Sequence, residues 1–572
     1  MKTIVTLAVL LLGAASFYLE QLSSFPSAQL TGRIIDLLII ITALSEFFFS
    51  LMKAKYKRIY LSHNLIASLL LIFYIILFIS DKFLLYYTGQ TVFSGIAAII
   101  ILRNTLILFK VFSRFGKLSS FLQNILINPA QTIVISFLIV IAAGTIFLAM
   151  PFASAGSGSL SILDSLFTAT SAVCVTGLIV VDTAVYFTTW GKVIIMLLIQ
   201  IGGLGIMILS FSTVFMFRKS VSLENKKLIS YMINEDDMTK ISAMVKNIVG
   251  LTLLIEAAGA VILFFSFTGR SSPGERIFYS MFHAVSAFCN AGFALFSDSL
   301  EQFSSNPAIV LTVAFLIILG GISFSVMTDI WSSLFTKIKS FITGIYKKDS
   351  LSTNSRIVLG YTVFLIFSGM FLVYFFEHGN LLKEEPLGVQ YLSAFFQSVT
   401  LRTAGFNSIS FSSLMPVTVF IMILYMFAGG ASGSTAGGIK VNTIAVLYSY
   451  FKSFFRKENN ITIYSREIGV QTVLKAFSIL SLGLTAVITG FFVLLITEKA
   501  PPLDILFETV SAFATVGLST GITSSLTAAG KIVIILLMFI GRLGPLTIVA
   551  SIGSESKSKI LHRYPEAEIS IG

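Results

Sequence analysis

Long apolar stretches recur along the chain, separated by shorter polar joints. Each comes close to the ~20 residues that a helix needs to cross a bilayer core. Four of them, near 132–150, 247–267, 357–376 and 473–496, read as uninterrupted spanning helices. Each is followed by an apolar segment of about ten to twelve residues, too short to cross, which must return to the side it entered. A second spanning stretch then follows, near 191–216, 307–334, 417–450 and 530–552. Residues 1 to about 116 supply four further apolar stretches. The pattern predicts about twelve spanning helices and an all-α integral membrane fold. One stretch fits it badly: "FAGGASGSTAGGIKV", Phe427 to Val441, places five glycines, serines, a threonine and a lysine at membrane depth.

Composition agrees with the pattern. The 572 residues are 56% hydrophobic and only 12% charged, with a mean hydropathy of +0.92. A soluble domain carries roughly a quarter charged residues. The formal charge of +12 does not point to nucleic acid, because the basic residues sit in particular loops. These are Lys53, Lys55, Lys57 and Arg58; Arg218, Lys219, Lys226 and Lys227; Lys337, Lys339, Lys347 and Lys348; and Lys452, Arg456 and Lys457. An even helix count with both termini cytoplasmic puts all four loops in the cytoplasm, as the positive-inside rule expects. The start, "MKTIVTLAVLLLGAASF", has the features of a signal peptide, but as a first spanning helix it preserves the even count and the charge asymmetry. Cys174 and Cys289 lie in apolar segments and make no CxxC pair, so neither a disulfide framework nor a thiolate metal site is indicated.

The short segments are versions of one another. "SLFTATSAVCVTGLIV", "SMFHAVSAFCNAGFAL", "SAFFQSVTLRTAGFNS" and "ILFETVSAFATVGLST" align on Gly177, Gly292, Gly405 and Gly517, each ten residues after Phe167, Phe282, Phe395 and Phe507. A second mark, "IGGLG", "LGGIS", "AGGAS" and "IGRLG", recurs on the second helices. Non-helical backbone at membrane depth is tolerated only inside protein or beside a water-filled cavity. Four re-entrant segments converging on a pseudo-fourfold axis make such a cavity. Glycine accepts positive φ, which lets the residues before it turn carbonyls inward, and rings of carbonyls replace the hydration shell of a monovalent cation. The C-terminal, partly negative ends of the short helices face the same point, the right sign for a cation. The glycine pairs on the second helices read as packing notches.

These motifs resemble those of the Trk/Ktr/HKT superfamily of potassium transporters, over roughly residues 120 to 555, with "GGASGSTAGGIK" similar to its intramembrane loop. The resemblance implies potassium uptake across the inner, cytoplasmic membrane through four outer-helix, pore-helix, inner-helix repeats. It implies a filter of Val175, Thr176 and Gly177; Asn290, Ala291 and Gly292; Thr403, Ala404 and Gly405; and Thr515, Val516 and Gly517. In the family a serine at the first filter glycine goes with sodium permeation, so Gly177 favours potassium. The implied gate is Gly429, Gly430, Ser432, Gly433, Ser434, Thr435, Gly437, Gly438 and Lys440, with Arg542 of the fourth repeat hydrogen-bonding loop carbonyls and putting positive charge in the path. Lys440 marks the return towards the cytoplasmic end. A homodimer and a separate cytosolic nucleotide-binding subunit of the TrkA/KtrA type are implied as partners. The chain has no GxGxxG stretch of its own, and no cofactor or metal is expected in it beyond potassium as substrate. The expected divisions are 1–116, accessory transmembrane helices; 117–218, repeat one; 219–340, repeat two; 341–456, repeat three with the gating loop; 457–555, repeat four; and 556–572, a cytoplasmic tail.

Other readings stand beside this one. "GASG", Gly430 to Gly433, matches an intramembrane serine protease motif, but the only histidine after Ser432 is His562 in the polar tail, so the base is missing and an enzyme is not expected. His283 with Cys289 is too sparse for a metal site. A sodium- or proton-coupled cation symporter is the nearer rival, with Glu256 and Glu508 as candidate relays, although Glu508 on a half-helix fits a brace for the filter. Arg103, Lys110 and Arg114 share one helical face, and Asp36, Glu46 and Asp81 precede them. The first helices are therefore either an accessory packing domain or a voltage-sensor-like bundle.

Overall fold

The computed structural model describes residues 129–156, 160–205, 241–267, 272–343, 351–458 and 460–552, with isolated positions between 37 and 52. The four expected N-terminal helices, their charged residues, the basic loop near 218–227 and the tail with His562 lie outside the described residues. The described part is almost wholly helical. Its long helices are Pro129–Ala149, Ile241–Ser266, Thr353–Glu377 and Val470–Thr497, and all four are long and apolar enough to cross a membrane. At 1.5 Å per residue the 25 residues of Thr353–Glu377 reach ~38 Å, more than the ~30 Å required.

After each long helix comes a short one: Ile162–Val173, Pro273–Phe288, Leu387–Thr400 and Pro502–Ala514. They have 12, 16, 14 and 13 residues, somewhat longer than expected but still at most ~24 Å. Their starts are written in the sequence. Ser161 accepts a hydrogen bond from the Asp164 N–H at 3.1 Å, and Ser272 does the same for Glu275 at 3.2 Å ahead of Pro273. Pro386 and Pro501 stand immediately before the other two. These helices form the centre of the core: Phe167, Phe282 and Phe507 are fully buried. In the third, Phe395 is only partly buried and Phe396 fills the interior.

The second helices differ from expectation. Only the third was expected to break, yet none of the four runs on as one straight span. Thr189–Leu204 ends at Gly205, whose φ is +80°, and the residues after it lie outside the described set. Pro307–Gly321 meets Phe324–Leu334 at 104° and Ala528–Leu543 meets Pro545–Ser551 at 93°. Gly544 turns at φ +84°, and Pro545 has no N–H to offer a continuing helix. The third stops at Phe427 and resumes as Val441–Arg456. The helix Phe324–Thr343 runs across the division drawn at 340. Between Val441–Arg456 and Val470–Thr497 lies a small hairpin, Thr462–Ile463 paired antiparallel with Arg466–Glu467. Its two turn residues, Tyr464 and Ser465, take positive φ as a tight hairpin turn demands.

Candidate functional site

Beyond the end of each short helix the backbone follows one rule. Val175, Asn290, Thr403 and Thr515 have φ of +56°, +59°, +72° and +52°, and two residues later Gly177, Gly292, Gly405 and Gly517 have +96°, +71°, +78° and +88°. The four glycines close into a ring. A Cβ placed on Gly177 would strike the Ala291 carbonyl oxygen, on Gly292 that of Ala404, on Gly405 that of Val516, and on Gly517 that of Thr176. Each glycine thus faces the carbonyl of the residue preceding the next glycine, and the fourth returns to the first.

The ring is braced from behind. The Thr176, Ala291 and Val516 N–H groups bond to the Ser171, Ser286 and Ser511 carbonyls at 2.8, 2.7 and 2.8 Å, and Ala404 N–H bonds to Thr400 O at 3.0 Å. The Ser171 and Ser511 hydroxyls accept the N–H of Gly177 and Gly517, each at 3.1 Å. With the donors held by the helix ends, the intervening carbonyls remain acceptors. Serine six residues before the glycine, in three segments of four, is the repeated signal in the sequence that corresponds to this brace. The hydroxyls of Thr176, Thr403 and Thr515 are buried around the ring without a hydrogen-bond partner. Glu508 is fully buried and accepts from Ser519 at 2.8 Å and from Thr523. Arg402, beside Thr403, is buried with Nε and Nη2 unpartnered, and the sequence reading did not single it out. Asn290 turns its amide towards Ile317 O and Ala287 O at 3.1 and 3.0 Å. Above the ring a cavity of about 360 Å³ is lined by the four glycines with Asp182, Asp298 and Glu301.

The broken segment lies against the ends of the short helices. Gly429 N–H bonds to Ile439 O at 2.9 Å and Val441 N–H to Gly430 O at 3.1 Å, so the segment leaves and returns at one point. Between them, Ala431 N–H and the Thr435 hydroxyl reach Gly321 O and Gly320 O at 3.1 and 2.9 Å. The Thr435 hydroxyl also lies 3.3 Å from Phe288 O. Gly433 and Gly438 turn at φ +77° and +67°. Gly437 sits where any Cβ would collide with the Thr515 side chain, directly beside the ring. Ser434 closes on Ala431 O at 2.8 Å, and Ser432 N–H is held by Asn442 Oδ1 at 3.1 Å.

Arg542 joins this segment to the helix Thr189–Leu204. Its Nη1 donates to Thr435 O, and its Nη2 donates to Gly202 O with Gly203 O 3.5 Å away. Lys440 folds back to donate to Ala436 O within the segment. Lys440 is therefore part of the segment's own fastening, beyond marking its exit. The notch glycines have the packing role: a Cβ at Gly202, Gly320 or Gly541 would strike the carbonyl oxygen of Val173, Phe288 or Phe513. Glu256 is buried with Gln200 Nε2 at 3.2 Å and the Cys289 thiol at 3.9 Å. Among the described residues no group of three or more metal-ligating side chains occurs.

The family described as "TrkH: Cation transport protein" matches residues 99–560. The chain is 39% identical over 444 residues to the Ktr system potassium uptake protein B of Vibrio alginolyticus, covering 77% of this chain and 94% of that one. It is 35% identical over 452 residues to the potassium/sodium uptake protein NtpJ of Enterococcus hirae, covering 78% and 98%. Its fold is similar to that of the potassium transporter TrkH from Vibrio parahaemolyticus, with a TM-score of 0.59 at 17% identity over 85% of this chain and 97% of the other. The apolar helices and the family together make it a multi-pass membrane protein. With the family pattern matched over most of its length, the chain belongs to the TrkH family of cation transport proteins.

Proposed function

We propose that the chain takes up potassium across the cytoplasmic membrane through a pseudo-fourfold pore of four outer-helix, pore-helix, inner-helix repeats. The glycine ring is its filter and Ala428–Lys440 its gate. The observation that carries this reading is the closed ring, in which each glycine faces the carbonyl of its neighbour's preceding residue. Carbonyl oxygens in a ring can replace a monovalent cation's water, and four short helices aim their partly negative ends at the same point. Buried hydroxyls without partners, such as that of Thr515, cost about 1–3 kcal/mol each unless something polar meets them. A hydrated ion path supplies it. The relatives named as potassium uptake proteins support potassium as the substrate.

Several further features belong to the same reading. The divisions at 116, 218, 456 and 555 separate accessory helices, repeats and tail, and that between the second and third repeats falls just after the helix Phe324–Thr343. Both termini face the cytoplasm, on the side of Lys452, Arg456 and Lys457, where the broken second helix of repeat three ends. The chain pairs as a homodimer and docks on a cytosolic nucleotide-binding subunit, a partnership supported by relatives whose names place them in a Ktr system.

Flux into liposomes containing the purified chain tests the proposal. Potassium should run down its own gradient and be indifferent to removal of sodium or of a pH gradient. Buried Glu256 and the relative named for both potassium and sodium favour coupled symport as the second reading. Flux that stops without a sodium or proton gradient selects it.

A further inference from the structure

The segment that rises from the second glycine is tied to its short helix by two side chains. The Ser286 hydroxyl donates to Phe293 O at 2.8 Å. Three residues earlier on the helix, His283 Nε2 lies 3.2 Å from the Leu295 N–H. A backbone N–H can only donate, so Nε2 must accept. The other ring nitrogen, Nδ1, is 2.7 Å from the Tyr279 carbonyl, which can only accept, so Nδ1 must carry the proton. The two contacts therefore fix one neutral tautomer. The ring is fully buried and stacked on Phe296 with centroids 4.9 Å apart, with Phe267 edge-on at 5.7 Å.

His283 stands nine residues before Gly292, the same register as Glu508 before Gly517. Glu508 also reaches the rising segment, at Ser519. In the third repeat the neighbouring Gln397 reaches Ser408 at 3.4 Å, whereas Thr168 of the first turns back to Asp164 O. We infer that His283, through its unprotonated Nε2, is a positioning residue that holds the segment above Gly292 and thereby sets the filter's selectivity. This rests on the filter reading of the glycine ring. A proton on Nε2 would set two N–H groups against each other and release Leu295. Among the described residues in ring contact with it, Tyr279, stacked at 6.2 Å, is titratable, and Phe267, Phe282, Phe296 and Phe406 are uncharged. Asp298 and Glu301 follow on the rising chain and line the mouth cavity.

Two substitutions separate this role from simple packing. His283→Phe keeps an aromatic ring but has no acceptor, and His283→Gln offers a carbonyl oxygen to Leu295 at the expense of ring packing. The potassium-to-sodium permeability ratio, read from reversal potentials in planar bilayers, should fall about fivefold in the Phe variant, the effect of losing one hydrogen bond. The Gln variant should stay near the parent. A Phe variant with the parent's ratio, or a Gln variant that loses more selectivity than Phe, overturns the inference. Gly177→Ser is measured alongside. If it changes the ratio while His283→Phe does not, the positioning role fails and the filter stands; if neither does, the filter reading itself fails.

Discussion

Removing the Arg542 guanidinium should open the pathway without altering what passes. Of its carbonyl partners, Gly202 and Gly203 belong to a packed helix and only Thr435 belongs to the broken segment. A hydrogen bond from a charged donor contributes about 1.5–3 kcal/mol. Taking ~2 kcal/mol for the one bond that must break when the segment moves, its loss shifts a closed-to-open equilibrium by about thirtyfold. Arg542→Ala should therefore raise potassium flux by about tenfold or more where the parent is mostly closed. Arg542→Lys keeps the charge as a single point donor and cannot span two carbonyl groups, so its flux should fall between the two. The assay is potassium flux from proteoliposomes at matched protein content, with the potassium-to-sodium ratio measured on the same vesicles. Arg542 contacts no ring glycine in its hydrogen bonds, so that ratio should hold. Flux in Arg542→Ala no greater than the parent's, or a rise accompanied by lost selectivity, refutes this role for Arg542.

Three other outcomes follow from the same geometry. Gly177→Ser puts a side chain at φ +96° against the Gly292 Cα, 3.1 Å from where its Cβ would lie, and should lower the potassium-to-sodium permeability ratio about tenfold or more; an unchanged ratio removes Gly177 from the filter. Shortening the chain between Gly433 and Gly438 removes Thr435, the anchor for both Arg542 and Gly320, and should raise flux at equal expression; equal or lower flux counts against the gate. Glu301, outside the spanning helices, is held above the usual carboxylate range by burial and then by Asp298, partly offset by Asn407. The folded chain thus binds that proton more tightly than the unfolded one, so the contribution to stability is full below the ordinary carboxylate value and is lost as pH rises through the raised one. Glu301→Gln should flatten that slope in melting temperature against pH.

Whatever the chain states several times was legible in its letters. The four glycines and the phenylalanines ten residues before them stand out because chance does not repeat a spacing four times. The breaks in the second helices were legible only in the third, where five glycines accumulate. A single Gly–Gly or Gly–Pro in an apolar run fits an unbroken membrane helix just as well. The turns themselves, at Gly205 and Gly544, rest on a positive φ that the letters do not show. His283 was readable as a satisfied helix histidine but not as a brace, since Leu295 comes into reach only after the chain has turned at Gly292.

The breaks also explain why an arginine sits at this depth. Each interruption of a helix leaves carbonyls without their usual N–H partners, and at membrane depth no lipid group can meet them. Around the ring, on the filter reading proposed above, a passing cation would meet those oxygens. On the inner side, the Thr435, Gly202 and Gly203 carbonyls meet the guanidinium of Arg542. On the proposed reading Arg542 would act as a cation tethered to the wall, holding oxygens of the kind that the filter would offer potassium. Closing the proposed path and solvating its broken backbone would then be one act, and opening it would require those carbonyls to find water or the permeating ion as Arg542 leaves. Flux through Arg542→Ala should accordingly depend less on any regulatory partner than flux through the parent, and a variant that still needs the partner in full would show that closure is held elsewhere.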